Sequence, residues 1–312
     1  MNKTAYITHP IFLQHDTGNG HPEAPQRLIA IQEKLKDSGL FDQLIHYQAP
    51  LATDEQLERA HDKNYLHAIE AAAPATENDS CYLDQDTRMS YHSLEAAKRA
   101  AGAVVLATEQ VLTRKIKHAF CSVRPPGHHA KRNRSMGFCI YNNAMIGIYH
   151  ALAHGLNRVA LLDFDVHHGN GSENIIAADE RILFCSTFQH PYYPNESFKN
   201  NDHILCSGLT AGAGSAEFRH EVKTRWIPAL DQFKPEMIFV SAGFDAHQDD
   251  YLADLDFTTD DYGWVAQEIA EVAERYCQGR VVSTLEGGYN TESLAASVET
   301  YLRKWVVYNE SQ

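Results

Sequence analysis

Short apolar runs and helix-spaced apolar positions take turns along most of the 312-residue chain. Tyr6-Ile7 predicts a brief first strand. Longer apolar runs predict strands over His118–Val123, Arg158–Val166, Arg181–Ser186, Met237–Ala242 and Arg280–Leu285. Runs this short and this continuously apolar suit strands buried on both faces. Between them, apolar residues recur at the spacing of one helix face. That spacing predicts helices from Pro25 to Gly39, over Thr53–Ala73 as one or two pieces, and over Ser90–Leu112. Further helices are predicted over Asn142–His154, Gly171–Ala178, Ala216–Phe233, Asp260–Tyr276 and Thr291–Trp305. Pro25 suits a first helical turn, Gly39 a helix end and Thr53 an N-cap. Strands alternating with helices imply an α/β fold, a mostly parallel central sheet with helices on both faces. No repeat, low-complexity tract or linker divides the chain, so residues 1–312 are expected to form a single domain.

The pattern turns polar abruptly at four strand ends. The apolar run Val159–Leu162 leads into Asp163, Asp165 and His167, spaced by two. On a strand such residues share one face, and Gly169 and Gly171 then turn the chain away. The strand at 118–123 leads into Arg124-Pro-Pro-Gly-His-His-Ala130. The strand at 237–242 leads into Gly243-Phe-Asp245-Ala-His247, and the last into Glu286-Gly-Gly-Tyr289. Each motif alone is ordinary turn chemistry. In a parallel sheet, however, the carboxyl ends of the strands share one edge, where ligands bind.

Composition narrows the classes. A hydrophobic content of 44% supports a large core. No run of 18 apolar residues suggests a membrane span, and Met1–Pro10 has no apolar leader region, so the chain reads as soluble and cytoplasmic. The six cysteines contain no Cys-x-x-Cys pair, which argues against a thiolate zinc site or a disulfide scaffold. A formal charge of −14 disfavours nucleic acid and anionic membrane as partners, although Lys131-Arg-Asn-Arg134 is a local basic patch.

The strand-end residues form a working chemical set. Asp165, His167 and Asp245 offer two oxygens and one nitrogen to a divalent metal. Three protein ligands with a position left open is the arrangement of a catalytic metal. Such a metal lowers the pKa of bound water from ~15.7 towards ~7 and polarises a carbonyl. His128 and His129 can serve as general base and general acid. Asp163 is placed to accept a hydrogen bond from one of those imidazoles. Tyr289, after two glycines, can donate its hydroxyl to a developing oxyanion. Together these describe amide hydrolysis.

With these motifs, the chain resembles the zinc-dependent histone deacetylases and acetylpolyamine amidohydrolases, closest to class II and bacterial deacetylase-like members. The likeness runs through His21-Pro-Glu-Ala-Pro-Gln-Arg27, Asp84-Gln-Asp86-Thr87, Arg124 to Ala130, Gly137-Phe-Cys139, Asp163 to Gly171, Ser241 to Asp245 and Glu286 to Tyr289. It implies the arginase/deacetylase-like fold, with Zn2+ held by Asp165, His167 and Asp245; the same ligands also suit Fe2+. It implies a His128–Asp163 pair, His129 as the second catalytic histidine and Tyr289 polarising the acyl carbonyl. Phe138 and Tyr193 become the walls of a narrow tunnel, Gly137 a point of close backbone approach and Leu252 a residue of the mouth. Asp86 becomes a rim acid for the substrate backbone, with Asp84 as the alternative, and Arg27 belongs to a pocket for released acetate. A structural K+ is implied at the carbonyls of Asp163, Asp165 and His167 and the Ser186 hydroxyl.

Two positions depart from the class I pattern. Asn170 stands where class I enzymes carry an aspartate beside the second histidine; class II members share the asparagine. A neutral partner predicts that His129 stays uncharged more readily. The second departure is the aromatic wall, which is tyrosine at 193 (or at 192) where many relatives carry phenylalanine. The implied partners are acylated lysine in peptides or proteins, or acetylated polyamines, and a homo-oligomer is compatible with all of this. Two rivals are weighed against that reading. An arginase-like dimanganese ureohydrolase needs more carboxylates, but Gly169 stands two residues after His167, and Asp245 is followed by Ala246 and His247 where Asp-x-Asp would be expected. A non-catalytic acyl-lysine reader is disfavoured because Tyr289, both histidines and all three ligands are retained.

Overall fold

The computed structural model describes residues 4–311. Met1–Lys3, the start of the segment read as lacking a leader, lie outside the described residues. In chain order the strands are β1 (Thr4–Thr8), β2 (Ile45–Gln48), β3 (Ser80–Tyr82), β4 (Arg88–Ser90) and β5 (His118–Cys121). They continue with β6 (Val159–Asp163), β7 (Ile182–Gln189), β8 (Ile204–Leu209), β9 (Met237–Ala242) and β10 (Val281–Leu285). β3 and β4 make a small antiparallel hairpin. The other eight form one sheet in the order β2-β1-β5-β10-β9-β6-β7-β8, and every pairing in it is parallel.

The helices are α1 (Gln26–Asp37), α2 (Asp54–Glu58), α3 (Lys63–Ala72), α4 (Ser93–Leu112) and α5 (Asn143–Ala153). They continue with α6 (Asn170–Ile176), α7 (Ser215–Glu221), α8 (Ile227–Phe233), α9 (Thr259–Tyr276) and α10 (Thr291–Ser311). α10 packs on α1 and α9, α4 packs on α5, and these groups lie against the two faces of the sheet. Thr53 closes a capping box with Gln56 at the start of α2, so the stretch 53–73 is two helices. The stretch 216–233 is one helical run with a π turn over Val222–Trp226. Among the described residues, no helix is long and apolar enough to cross a membrane.

Two features of this sheet place the site. The four strands that end in polar motifs, β5, β10, β9 and β6, are consecutive neighbours at its middle. Their ends are also level: Leu285 pairs with Ala242, and Asp163 pairs with both Ser241 and Ser186. All five residues of β6 are buried, as a central strand covered on both faces requires.

The expected elements are corrected at the margins. β2 and β8 escape the sequence pattern because they are the two edges of the sheet; β2 alternates half-buried and exposed residues with no apolar run. β7 continues to Gln189 and α10 beyond Trp305. β6 stops at Asp163, three residues short of the expected Val166.

Candidate active site

Because β6 ends at Asp163, the pleat of a strand does not aim Asp165 and His167. The carboxylates fold the chain themselves. Asp163 Oδ1 accepts the Asp165 N–H at 3.1 Å, and Asp165 Oδ1 accepts the His167 N–H at 2.9 Å. Two successive turns closed by aspartate side chains bring the three polar residues to one place. Asp245, just past β9, joins them and accepts the Val166 N–H on Oδ1 at 2.9 Å.

Donor atoms of Asp165, His167 and Asp245 all lie within 4.8 Å of one another. His167 Nδ1 is 3.1 Å from Asp165 Oδ1 and 3.2 Å from Asp245 Oδ2. Asp245 Oδ2 is buried without a hydrogen-bond partner among the described residues. Gly287 leaves room for this group: a Cβ there would stand 1.9 Å from Asp245 Oδ2. Its N–H donates to Asp165 Oδ2 at 2.7 Å. Burial and the neighbouring Asp165 push the Asp245 carboxyl up to about 6. Two buried carboxylates side by side repel, and a cation between them relieves both the repulsion and the desolvation. The donor set, its burial and the cradle at Gly287 fit a zinc-sized divalent ion, and oxygen–nitrogen ligation also suits Fe2+. The buried Ser186 hydroxyl likewise has no hydrogen-bond partner among the described residues, which fits a cation on that side of the Asp163–His167 turn.

The paired histidines differ in what holds them. His128 Nδ1 donates to Asp163 Oδ2 at 3.0 Å, and its Nε2 is 3.7 Å from Asp165 Oδ1. Burial opposes its charge, but Asp165 and Asp163 outweigh that and raise it to about 10. His129 Nδ1 meets Asn170 Oδ1 at 2.8 Å. The Asn170 amide can only be oriented one way, because its Nδ2 donates to Glu196 Oε2 at 3.0 Å. His129 therefore carries its proton on Nδ1 and leaves Nε2 as an acceptor. Burial and the neighbouring His128 and His167 hold His129 well below the usual histidine range. Glu196, itself paired with Lys131 at 2.8 Å, is a residue the sequence reading missed; its only signal was a carboxylate two residues beyond Pro194.

A cavity of about 140 Å³ opens over this group. His129, His167 and Tyr289 line its floor, and Phe138, Tyr192, Tyr193 and Leu252 line its walls. Tyr193 stands edge-on to His129 at 5.2 Å, while Tyr192 stacks on His167 at 5.6 Å. The choice between the two tyrosines dissolves, since both are walls. Gly137 and Phe138 both adopt positive φ, +58° and +68°. A Cβ at Gly137 would lie 2.4 Å from the His129 ring, so only glycine lets the wall come this close. Asp86 and Thr87 secure that turn by accepting the N–H groups of Gly137 and Phe138 at 3.0 and 3.1 Å. Asp86 Oδ2 also accepts from the Tyr193 hydroxyl at 3.2 Å. Asp84 instead closes the turn below, accepting from Asp86 and Thr87 N–H.

Behind Tyr289, Arg27 is fully buried. It donates to the carbonyls of Gly288 and Glu286 at 2.6 and 2.5 Å and pairs with Glu23 at 3.2 Å. Its guanidinium lies over the Tyr289 ring at 5.1 Å. Glu286 accepts the N–H groups of Gly127 and His128 at 2.7 and 3.1 Å, which is structural support rather than base chemistry. Burial keeps the Tyr289 hydroxyl protonated far above the usual phenol range, as a hydrogen-bond donor must be.

A second grouping of donor types, His168, Glu173 and Cys206, also lies within 4.8 Å. His168 Nε2 lies 3.0 Å from Glu173 Oε2, although neither ring nitrogen of His168 has a hydrogen-bond partner among the described residues, and the group does not line the cavity.

The chain is similar to known proteins over most of its length. Residues 21–305 match the family model described as the histone deacetylase domain. The chain is 34% identical to the type-2 histone deacetylase 2 of Dictyostelium discoideum, covering 96% of this chain and a fifth (20%) of that protein. It is 33% identical to the histone deacetylase-like amidohydrolase of Pseudomonas aeruginosa, over 91% of this chain and 77% of that one. Among solved structures, the crystal structure of the HDA15 HD domain superposes with a TM-score of 0.91 at 29% identity, covering 99% of this chain and 90% of that one.

Proposed function

The chain belongs to the histone deacetylase family, and on that premise we propose that it is a zinc-dependent amidohydrolase that removes acetyl or other acyl groups from lysine side chains or related amines. The observation that carries the reading is the meeting of Asp165, His167 and Asp245 with two differently held histidines and Tyr289 at the foot of one narrow cavity. We assign 1–312 to one catalytic domain, acting in the cytoplasm.

Asp165, His167 and Asp245 would hold the ion. When bound there, it polarises the acyl carbonyl and makes water more acidic. Every other part falls to the chain. The cavity, small beside the several hundred Å³ of typical ligand sites, admits a linear alkyl amine between Phe138 and Tyr193. Tyr289 donates to the acyl oxygen as charge gathers on it. His129 Nε2 takes a proton from the attacking water. The C–N bond breaks, and the amine leaves with a proton returned by the histidine pair. His128, held by Asp163, keeps positive charge beside the developing oxyanion. Arg27, whose guanidinium lies over the Tyr289 ring, would offer a cation to the released carboxylate. Ser186 and the carbonyls of Asp163, Asp165 and His167 would hold K+.

The test is acetate release by zinc-loaded protein from an acetyl-lysine peptide, acetylputrescine and acetylspermidine. The expected result is turnover of at least one, with the rate lowered ~10²–10³-fold in Tyr289→Phe, as for loss of one oxyanion donor. The preferred substrate assigns the subfamily. Zinc-loaded protein that binds the peptide tightly and releases no acetate would instead support a reader.

A further inference from the structure

Tyr289 hangs from a turn with little stiffness of its own. Gly287 and Gly288 precede it, and Gly288 adopts a φ of +125°, so the placement of the tyrosine must come from outside the turn. From one side Arg27 takes the carbonyls of Glu286 and Gly288. From the other, a single carboxylate takes two consecutive N–H groups: Asp250 Oδ2 accepts from Tyr289 at 2.6 Å and from Asn290 at 3.0 Å.

Asp250 is buried, with 5% of its surface exposed, and its other oxygen is also engaged. Oδ1 accepts the Leu252 N–H at 3.0 Å. Leu252 lines the cavity, and its carbonyl accepts from the hydroxyl of Tyr192, a second wall residue. The same two segments are tied again where the Asn290 side-chain amide donates to the Asp249 carbonyl at 2.9 Å. Asp250 thus joins the hydroxyl donor at the cavity floor to two residues of its wall. A buried carboxylate satisfied by three N–H groups is also costly to replace, since each donor it leaves buried and unpaired carries a desolvation penalty.

We infer that Asp250 is a positioning residue for the hydrolysis: it sets the main chain of Tyr289 and ties it to the tunnel wall at Leu252 and Tyr192. The inference rests on the amidohydrolase reading above. It means that a chain entering past Leu252 and the hydroxyl that meets its acyl oxygen are registered against one another by one side chain.

Asp250→Asn tests this, because an amide cannot accept on both sides. The expected result is kcat lowered ~10–100-fold, short of full loss of an oxyanion donor, with KM within about threefold and bound metal unchanged. The decisive readout is a double-mutant cycle. If Asp250 acts through Tyr289, Asp250→Asn changes kcat less than about twofold in a Tyr289→Phe background, since coupled residues do not add. Equal loss in both backgrounds, or no loss in the first, overturns the inference. Asp250→Glu keeps the acceptor but moves it by one methylene; it is expected to fall between wild type and Asp250→Asn, and serves in the cycle where the asparagine variant does not fold. Should the wild-type protein turn over none of the acylated amines, the reading of the reaction fails separately. Amide hydrogen exchange then still tests the contact: Asp250→Ala, which removes both acceptor oxygens, should speed exchange at Tyr289 and Asn290 and leave β10 unchanged, and unchanged exchange at those two amides overturns it.

Discussion

His167 and His168 are adjacent, yet they face two buried donor clusters with opposite characters. His167 meets two carboxylates, one of which, Asp245, is pushed up to about 6 by burial and by Asp165. Its ring lines the cavity. His168 packs against Phe188 at 4.6 Å and Phe198 at 6.0 Å and meets one carboxylate, Glu173. Glu173 Oε2 also accepts the Lys199 N–H at 3.2 Å. The first cluster sets two buried carboxylates against one imidazole, an excess of negative charge that only a cation or a proton can relieve, whereas the second sets one carboxylate against one imidazole. Metal-donor residue types are present in both. Charge left unbalanced and a path from solvent distinguish the one proposed as the metal site.

The largest expected effect breaks the first cluster. Asp245→Ala should abolish tight metal binding and lower turnover to the background of the assay, read by metal analysis and acetate release on the same preparation. One tightly bound transition-metal ion per wild-type chain is expected; two would favour the ureohydrolase reading and erase the distinction between the clusters.

A smaller effect sharpens the roles of the histidines beside the first cluster. Asn170→Asp places a carboxylate against His129 Nδ1, which favours the imidazolium and raises the pKa of the free base. The acidic limb of the pH–rate profile should move to higher pH. A limb that stays in place would show that the partner of His129 does not set its protonation.

Histidines with no part in chemistry supply a further contrast. His61 Nε2 accepts the Asn142 N–H at 2.9 Å, so its proton sits on Nδ1 and goes to the Lys131 carbonyl at 3.0 Å. Burial lowers His61 to about 4, and likewise His15. Their folded pKa values lie below the unfolded value of ~6.5, so the unfolded chain binds protons that the folded chain refuses. Their contribution to stability is present above pH ~6.5 and is lost as the pH falls towards 4. Thermal unfolding across that window should show a falling Tm, and His61→Asn should flatten the slope. A slope unaffected by that change would remove His61 from the account.

The smallest effect is expected at the second cluster. Cys206→Ser should leave metal content unchanged and turnover within about twofold, because a buried thiol is replaced by a group of similar size. Loss of one metal equivalent in this variant would collapse the comparison from its other side.

Much of the site is legible in the order of residues along the chain. The apolar runs mark β5, β6, β9 and β10, and the residues following each run are those that meet at the cavity. The aiming of Asp165 and His167 is not legible in the form expected. Alternation along a strand suggests it, but aspartate-closed turns past Asp163 produce it. Glu196 and Asp250 are out of reach because each acts on a partner far along the chain: Asn170 lies 26 positions from Glu196, and Tyr289 lies 39 from Asp250. The edge strands β2 and β8 lack the continuous apolar run that marks a strand covered on both sides.

By itself the sequence determined the alternation of strands and helices, the order of the polar motifs and the donor types each carries, because periodicity and turn chemistry act over a few residues. Only the tertiary structure decided that β5, β10, β9 and β6 lie side by side with level ends. It alone decided which imidazole nitrogen faces which oxygen, and that His167 looks into the cavity while its neighbour His168 looks away. Those outcomes depend on parallel pairing between segments far apart along the chain, and on burial, which turns a row of ordinary polar residues into charges that must find partners.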